Sequence, residues 1–338
     1  MTVILNVMPE GTSRRMMTPE LERELAAIGS VTVCHNAREL SEEAYGALWE
    51  QADAVLSGWG FRPPTPAMLD RSNNLKVISH TAGSVRMLPR YALEKGIVVT
   101  SARSAIARTV AEFCLMNALV LLRRLPIYID SAPKRAAFFA ADLAVGQDKP
   151  LAQTLFSKTV GLIGYGYVAR HFRTLLQPFG CRILVYDPFI SAEEARANNI
   201  ETVSLPFLLQ NALIVSLHAP DIPATRHMIG AHELDMLCDG AILLNSARGR
   251  LLDTEALTAA LQTKRFYAAL DVSDPEPLPL DHPLRSLPNV LFTPHIAGPT
   301  EDDLPTLTRT AITDMRHVLN GEPPVYPISL AAYDIMSF

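Results

Sequence analysis

Gly164-Tyr165-Gly166-Tyr167-Val168-Ala169 lies between an apolar run, Thr159-Val160-Gly161-Leu162-Ile163, and a stretch from Ala169 to Phe179 with helical spacing. A second apolar run, Arg182-Ile183-Leu184-Val185-Tyr186, ends in Asp187, 21 residues after Gly166. Strand, glycine turn, helix, strand and acid at this spacing are the parts of a dinucleotide site. Gly164 permits the tight turn, and Gly166 lets the backbone approach a pyrophosphate. Ala169 takes the place of a third glycine, where a methyl still allows close helix–strand packing. The N–H groups that open the helix, from Tyr167 and Val168, attract phosphates. Asp187 can accept both hydroxyls of a ribose and would repel a 2′-phosphate, and Pro188 after it offers no cation to pair with one. NAD is therefore expected over NADP.

About 150 residues precede this fingerprint, and they carry their own alternation. Val3–Val7, Val31–Cys34, Ala54–Ser57, Val77–His80 and Val98–Thr100 read as strands, with helices at Pro19–Ile28 and Ser41–Gln51. A long helix is expected from Ile106 through Arg124, with Ala111, Cys114, Leu115, Ala118 and Leu122 on one face that suits a core or a subunit interface. Pro126, Pro133 and Pro150 then punctuate a poorly patterned linker. From Thr159 onward six strands are expected, at 159–163, 182–186, 213–217, 241–245, 267–271 and 290–293. Thr300-Glu301-Asp302-Asp303 suits a helix start, and the helical pattern stops at Gly321 before Pro323-Pro324. This last helix has no strand of its own, so it is expected to return to the N-terminal unit. The expected architecture is α/β: a Rossmann doubly wound parallel sheet (106–298) inserted into a smaller flavodoxin-like substrate-binding domain (1–105 with 299–338).

Composition narrows the class. Of 338 residues 49% are apolar, enough for two cores, and 19% are charged, too few for a solvated or disordered chain. A net charge of −5 gives no electrostatic case for nucleic acid or an anionic membrane as partner. Cys34, Cys114, Cys181 and Cys238 lie far apart, and this usage suits free thiols in a reducing compartment. Thr2 to Val7 reads as a first strand and not as a leader, and the longest apolar stretch, Phe113 to Leu122, is short for a membrane span. A cytoplasmic protein is expected. No HxxxH or HxH pair suggests a metal site.

Three segments carry chemistry. Leu243-Leu244-Asn245-Ser246-Ala247-Arg248-Gly249 sets an arginine just past an apolar strand. Leu270-Asp271-Val272-Ser273-Asp274-Pro275-Glu276 ends another strand in acids, and Leu291-Phe292-Thr293-Pro294-His295 ends a third in a histidine. The carboxyl ends of parallel strands face the ligand crevice. An arginine fork can hold a carboxylate and a keto oxygen, histidine titrates near neutrality and can pass a proton, and a carboxylate can orient the imidazole. Each has a plainer reading, as a loop cap for Arg248, a solvated turn for Glu276 and a structural hydrogen-bonder for His295. Together they suit hydride transfer to a 2-keto acid.

The sequence resembles the D-isomer-specific 2-hydroxyacid dehydrogenases over nearly its whole length. The motifs are Val160–Gly166, His218-Ala219-Pro220 with Thr225-Arg226-His227, Asn245–Gly249 with Leu252-Asp253, Leu270-Asp271-Val272 with Glu276-Pro277, and Thr293–Gly298. The resemblance implies Arg248 as the substrate-orienting cation, His295 as acid/base and Glu276 as its partner. It implies cofactor contacts from His218, Ala219, Pro220, Thr225, Ser246, Ala247, Asp271 and Gly298. His80-Thr81-Ala82-Gly83-Ser84-Val85 resembles the loop whose N–H groups hold the substrate carboxylate, with Gly83 and Ser84 as candidates. Val110-Ala111-Glu112 matches the start of an interdomain helix, and a homodimer is expected.

There are departures. The sequence stops soon after the returning helix, so the regulatory C-terminal domain of many phosphoglycerate dehydrogenases is expected to be absent. Trp59, in Ser57-Gly58-Trp59-Gly60-Phe61, stands as a substrate-side aromatic where those enzymes tend to offer arginine, which favours an unphosphorylated substrate. Glu276 is a carboxylate where related formate dehydrogenases carry an amide. The implied activity is an NAD-dependent interconversion of a small 2-keto acid and its D-2-hydroxy acid, run as a reductase. A dinucleotide-sensing co-repressor on the same fold would keep the same three residues, and the long disordered or charged extension by which it would recruit partners is expected to be absent.

Overall fold

The computed structural model describes residues 1–131 and 152–337. The chain divides into two units, Met1–Ala107 with Pro299–Phe338, and Arg108–Gly298.

In the first unit Val3–Asn6 (β1), Ser30–Val33 (β2), Ala54–Ser57 (β3), Val77–His80 (β4) and Val98–Ser101 (β5) form one parallel sheet in the order β2-β1-β3-β4-β5. β3 and β4 are buried along their whole length, as strands covered on both faces must be. On one face Tyr45 and Trp49 meet edge to face, ring centres 6.0 Å apart, from the helix Glu42–Gln51. On the other, Leu21 and Leu25 of Pro19–Ala26 join Ala311, Ile312 and Met315 of Leu304–Leu319 over Ile4, Leu56 and Val77. The helices Glu10–Met16, Pro66–Arg71 and Tyr91–Glu94 were not expected, being too short to show an apolar period.

His80 closes β4 with its Nδ1 2.9 Å from Ser57 Oγ and its ring against Phe61. The residue is 2% exposed, and burial pushes the imidazole down to about 4. The unfolded chain, with an ordinary histidine, binds this proton first, so stability present above pH 6.5 is lost as the pH falls towards 4. Both tryptophans, Trp49 and Trp59, lie in this unit, so their fluorescence follows its unfolding alone. Urea midpoints should fall between pH 7 and pH 4.5 by an equivalent of about 2 kcal/mol, and His80→Gln should flatten that slope. An equally steep slope in the variant would remove His80 as its source.

The second unit holds Thr159–Ile163 (β6), Arg182–Tyr186 (β7), Glu201–Thr202 (β8), Ile214–Leu217 (β9), Ile242–Asn245 (β10), Tyr267–Leu270 (β11) and Val290–Phe292 (β12). All are parallel, in the order β12-β11-β10-β9-β6-β7-β8. The doubly wound sheet thus has seven strands where six were expected. β8 is an exposed two-residue edge with no apolar run to announce it. The winding reverses between β6 and β9, which opens a crevice at their carboxyl ends.

Arg103–Leu122 runs from the first unit into the second and starts three residues before the expected Ile106. Ala111, Cys114, Ala118, Leu121 and Leu122 are buried. Leu115, expected on the same face, is half-buried. At 20 residues the helix is long and apolar enough to cross a bilayer, unlike the shorter stretch read from sequence, and half of its most apolar window is buried inside the protein. The linker expected from Pro126 begins instead as a helix, Leu125–Ser131, with Pro126 in the first turn where its missing N–H costs nothing. Pro133 and Pro150 lie outside the described residues.

Candidate active site

The glycine turn is built on steric necessity. Gly164 has φ +89° and donates to Tyr186 O, and a Cβ there would stand 2.7–2.9 Å from the backbone of His218 and Ala219. Gly164→Ala should therefore cost about 3 kcal/mol in stability and weaken NADH binding, because either the turn or the His218–Ala219 backbone must move. Wild-type stability and NADH affinity in that variant would refute the contact. A Cβ on Gly166, by contrast, would meet nothing within 4 Å. The helix Tyr167–Leu176 opens at Gly166 without a side-chain cap, so its positive end faces the open side of the turn.

Asp187 ties this loop down. Its Oδ2 accepts from Tyr165 N at 2.7 Å and its Oδ1 from Phe189 N at 2.8 Å, which leaves a second lone pair on each oxygen for a ribose. Pro188 beside it is exposed. Across the crevice His218 packs against Phe172, ring centres 6.0 Å apart, and burial pushes its imidazole down to about 3. Its Nε2 is sealed from solvent with no hydrogen-bond partner among the described residues. Thr225 Oγ1 closes the following turn onto Pro220 O at 2.5 Å. An open glycine turn, an uncapped helix start and an acid at the end of β7 fit a dinucleotide.

The reactive residues follow β10, β11 and β12, neighbours in the sheet. Asn245, buried, donates through Nδ2 to Arg248 O at 2.9 Å and accepts from Ala247 N at 3.1 Å. This clamp sets the path of Ser246, Ala247 and Arg248. Arg248 Nη1 donates to Ala247 O at 2.7 Å. Burial lowers the guanidinium from its ordinary range, while Asp221 and Glu276 work to keep it charged. Next to it Gly249 admits no side chain, since a Cβ would lie 2.1 Å from the Ser273 carbonyl.

Asp271 is 2% exposed and organises the histidine turn. Its carboxylate accepts from Thr293 Oγ1 at 2.6 Å, Ile296 N at 2.9 Å and Ala297 N at 2.8 Å, and its carbonyl accepts from His295 N at 2.8 Å. These bonds hold His295 at φ +55°, a left-handed conformation that turns its side chain out of the strand direction. His295 Nδ1 then lies 2.5 Å from Glu276 Oε1. The pair lines a cleft of about 280 Å³ with Asp271, Ser273, Leu278 and Phe292. With Nδ1 engaged by a carboxylate, Nε2 is the ring nitrogen that can exchange a proton with a ligand.

The other candidates belong to the first unit. Trp59 is 40% exposed on the loop after β3, with its carbonyl held by Thr12 Oγ1 at 3.0 Å. Gly83 and Ser84 follow β4, and the Ser84 hydroxyl donates to Ser337 O at 2.5 Å. Sequence reading assigned no role to Asn245, Gly249 or Thr293. Asn245 and Gly249 flank Ser246–Arg248, and a polar residue ending an apolar strand was the available signal. Among the described residues no group of His, Cys, Asp or Glu could hold a metal ion.

The fold and the site meet in one known class. The D-isomer specific 2-hydroxyacid dehydrogenase family, through its NAD binding domain, matches residues 115–297. A D-3-phosphoglycerate dehydrogenase of Methanocaldococcus jannaschii is 32% identical over 301 residues, which cover 88% of this chain and 55% of that protein. A glyoxylate reductase of Thermofilum pendens is 35% identical over 267 residues, 76% of each chain. The TT0316 protein of Thermus thermophilus superposes with a TM-score of 0.71 at 29% identity, over 97% of this chain and 100% of its own. The chain belongs to the D-isomer-specific 2-hydroxyacid dehydrogenase family, and residues 115–297 are its NAD-binding domain. It spans about half the length of the phosphoglycerate dehydrogenase it matches.

Proposed function

We propose that this chain is an NAD-dependent oxidoreductase that interconverts a small 2-keto acid and its D-2-hydroxy acid, and that it works as a reductase on an unphosphorylated substrate. The observation that carries the reading is the His295–Glu276 pair at 2.5 Å, on the same unit as Arg248 and the glycine turn. Arg248 binds the substrate carboxylate and keto oxygen through its planar fork. NADH, when bound, supplies the hydride. His295 gives the proton from Nε2 to the keto oxygen, and Glu276 holds the ring through Nδ1 and steadies its charge. In the reverse direction the same nitrogen takes the hydroxyl proton.

Ser246, Ala247, Asp271 and Gly298 are assigned to the nicotinamide side, and Gly83, Ser84 and Trp59 to the substrate side. The first unit acts as the substrate-binding domain, the second as the cofactor domain. The reading extends to a cytoplasmic homodimer.

The test follows nicotinamide absorbance with purified protein, NADH or NADPH, and glyoxylate, hydroxypyruvate, phosphohydroxypyruvate, pyruvate and bulkier 2-keto acids. Oxidation of NADH by one of the unphosphorylated acids is expected, with NADPH at least about 100-fold poorer in kcat/KM because Asp187 repels a 2′-phosphate. Preference for NADPH would overturn the role of Asp187. NADH binding without oxidation by any acid would overturn the enzymatic reading.

A further inference from the structure

The segment Tyr333–Ser337 lies along the loop that follows β4, and its contacts follow that loop nearly residue by residue. Ser84 Oγ donates to Ser337 O at 2.5 Å, and Val85 N donates to Met336 Sδ at 3.1 Å. Arg86 sets its guanidinium 4.8 Å from the centre of the Tyr333 ring. Tyr333, 5% exposed, donates from its hydroxyl to Leu88 O at 2.6 Å. Arg90 closes the row with two bonds to Asp334, at 2.9 and 3.1 Å.

Residues 81–90 contain no helix or strand. Inside the loop, Leu88 N bonds Val85 O and Arg86 N bonds Ser84 Oγ, so little of its path is determined by the loop itself. Thr81 N bonds Ser57 O and Ala102 N bonds Ala82 O at its start, Val85 and Leu88 are buried in the core, and five successive attachments to one segment hold the rest. The N–H groups of Gly83 and Ser84 are not used in this network and have no acceptor among the described residues. Two neighbouring backbone donors held without an acceptor suit a carboxylate, provided that the loop is rigid enough to keep both aimed at it.

We propose that Tyr333–Ser337 is a positioning element for substrate capture: it holds the Gly83–Ser84 donors in the geometry that binds the carboxylate of the 2-keto acid. The inference rests on reading Gly83 and Ser84 as carboxylate ligands. The segment acts through the loop backbone, so its effect falls on substrate affinity. The Ser84 hydroxyl belongs to this clamp, and the substrate is left to the backbone.

The experiment compares the intact chain with one ending at Asp334, which keeps Tyr333 and Asp334 and loses the Met336 and Ser337 contacts. Ser84→Ala in each background completes a double-mutant cycle. Expected are a KM for the best 2-keto acid raised about tenfold, kcat within about twofold and unchanged NADH affinity. Amide exchange at residues 82–88 should become faster, and Ser84→Ala should add less in the shortened chain than in the intact one, where it also removes the Ser337 bond. Met336→Ala and Ser84→Ala in the intact chain carry the same expectation if the shortened chain does not fold, and Met336→Leu, which has no acceptor for Val85 N, should leave the Val85 amide exchanging faster than in the parent. Unchanged exchange at 82–88 would overturn the proposal, because the segment would not be holding the loop. Faster exchange with unchanged KM would show that the loop is held but does not bind the carboxylate, and the underlying reading would fall with it. Exchange reports on the loop whether or not the chain turns over, so the two failures are distinguishable.

Discussion

His295→Asn is expected to lower kcat for the proposed 2-keto acid reduction by about three orders of magnitude and to leave NADH affinity within about twofold. Asparagine is chosen for the backbone. His295 has φ +55°, and among residues with a side chain asparagine tolerates that region best, so the turn anchored by Asp271 survives the change. What is lost is the ring nitrogen to which the proton transfer is assigned. An amide has no proton to give near neutral pH, so water must protonate the developing alkoxide, and a positioned general acid is worth roughly 10²–10⁴ in rate. Stopped-flow mixing of NADH-loaded protein with the best acid from the panel separates this step from binding. A variant turning over within about tenfold of the parent would exclude His295 as the acid.

Arg248→Ala should lower kcat/KM by about 10³ with NADH affinity again preserved. The guanidinium makes two kinds of contact in the proposed complex, to a full charge on the carboxylate and to the keto oxygen as charge develops there, so both KM and kcat suffer. Asn245 clamps the loop through the backbone of Ala247 and Arg248, so removing the side chain does not release the strand end. Arg248→Lys keeps the charge and loses the planar fork, and is expected to fall between the parent and the alanine variant. Equal kcat/KM in the parent and alanine proteins would reject the substrate-orienting role.

Much of this was legible in the chain because parallel strands buried on both faces read as short apolar runs. Val77–His80 and Ala54–Ser57 coincide with their sequence reading to the residue. The edge strand Glu201–Thr202 was not legible, since two exposed polar residues carry no period. Short helices such as Glu10–Met16 escaped for the same reason. At the site, the position of Arg248, Glu276 and His295 just past three strands could be read directly, because strand ends and chemistry-bearing residues are both local facts. Their meeting could not. It depends on β10, β11 and β12 lying side by side, and on Asp271 reaching across 24 residues to the turn at His295. The attachment of Ser84 to Ser337 is further out of reach, being a hydroxyl bonded to one carbonyl among hundreds.

Both ends of the chain build the first unit, and this gives its synthesis an order. Leu304–Leu319 supplies Ala311, Ile312 and Met315 to a core begun by Ile4, Leu21 and Leu25. A ribosome delivers the whole second unit, Arg108–Gly298, before it delivers that helix. The nascent N-terminal sheet therefore waits with one apolar face only partly covered, by Leu21 and Leu25, while the cofactor-binding half, whose residues are contiguous, is free to fold first. A chain arrested near residue 298 would carry a finished nucleotide fold joined to an unfinished, sticky one, the kind of intermediate on which chaperones act.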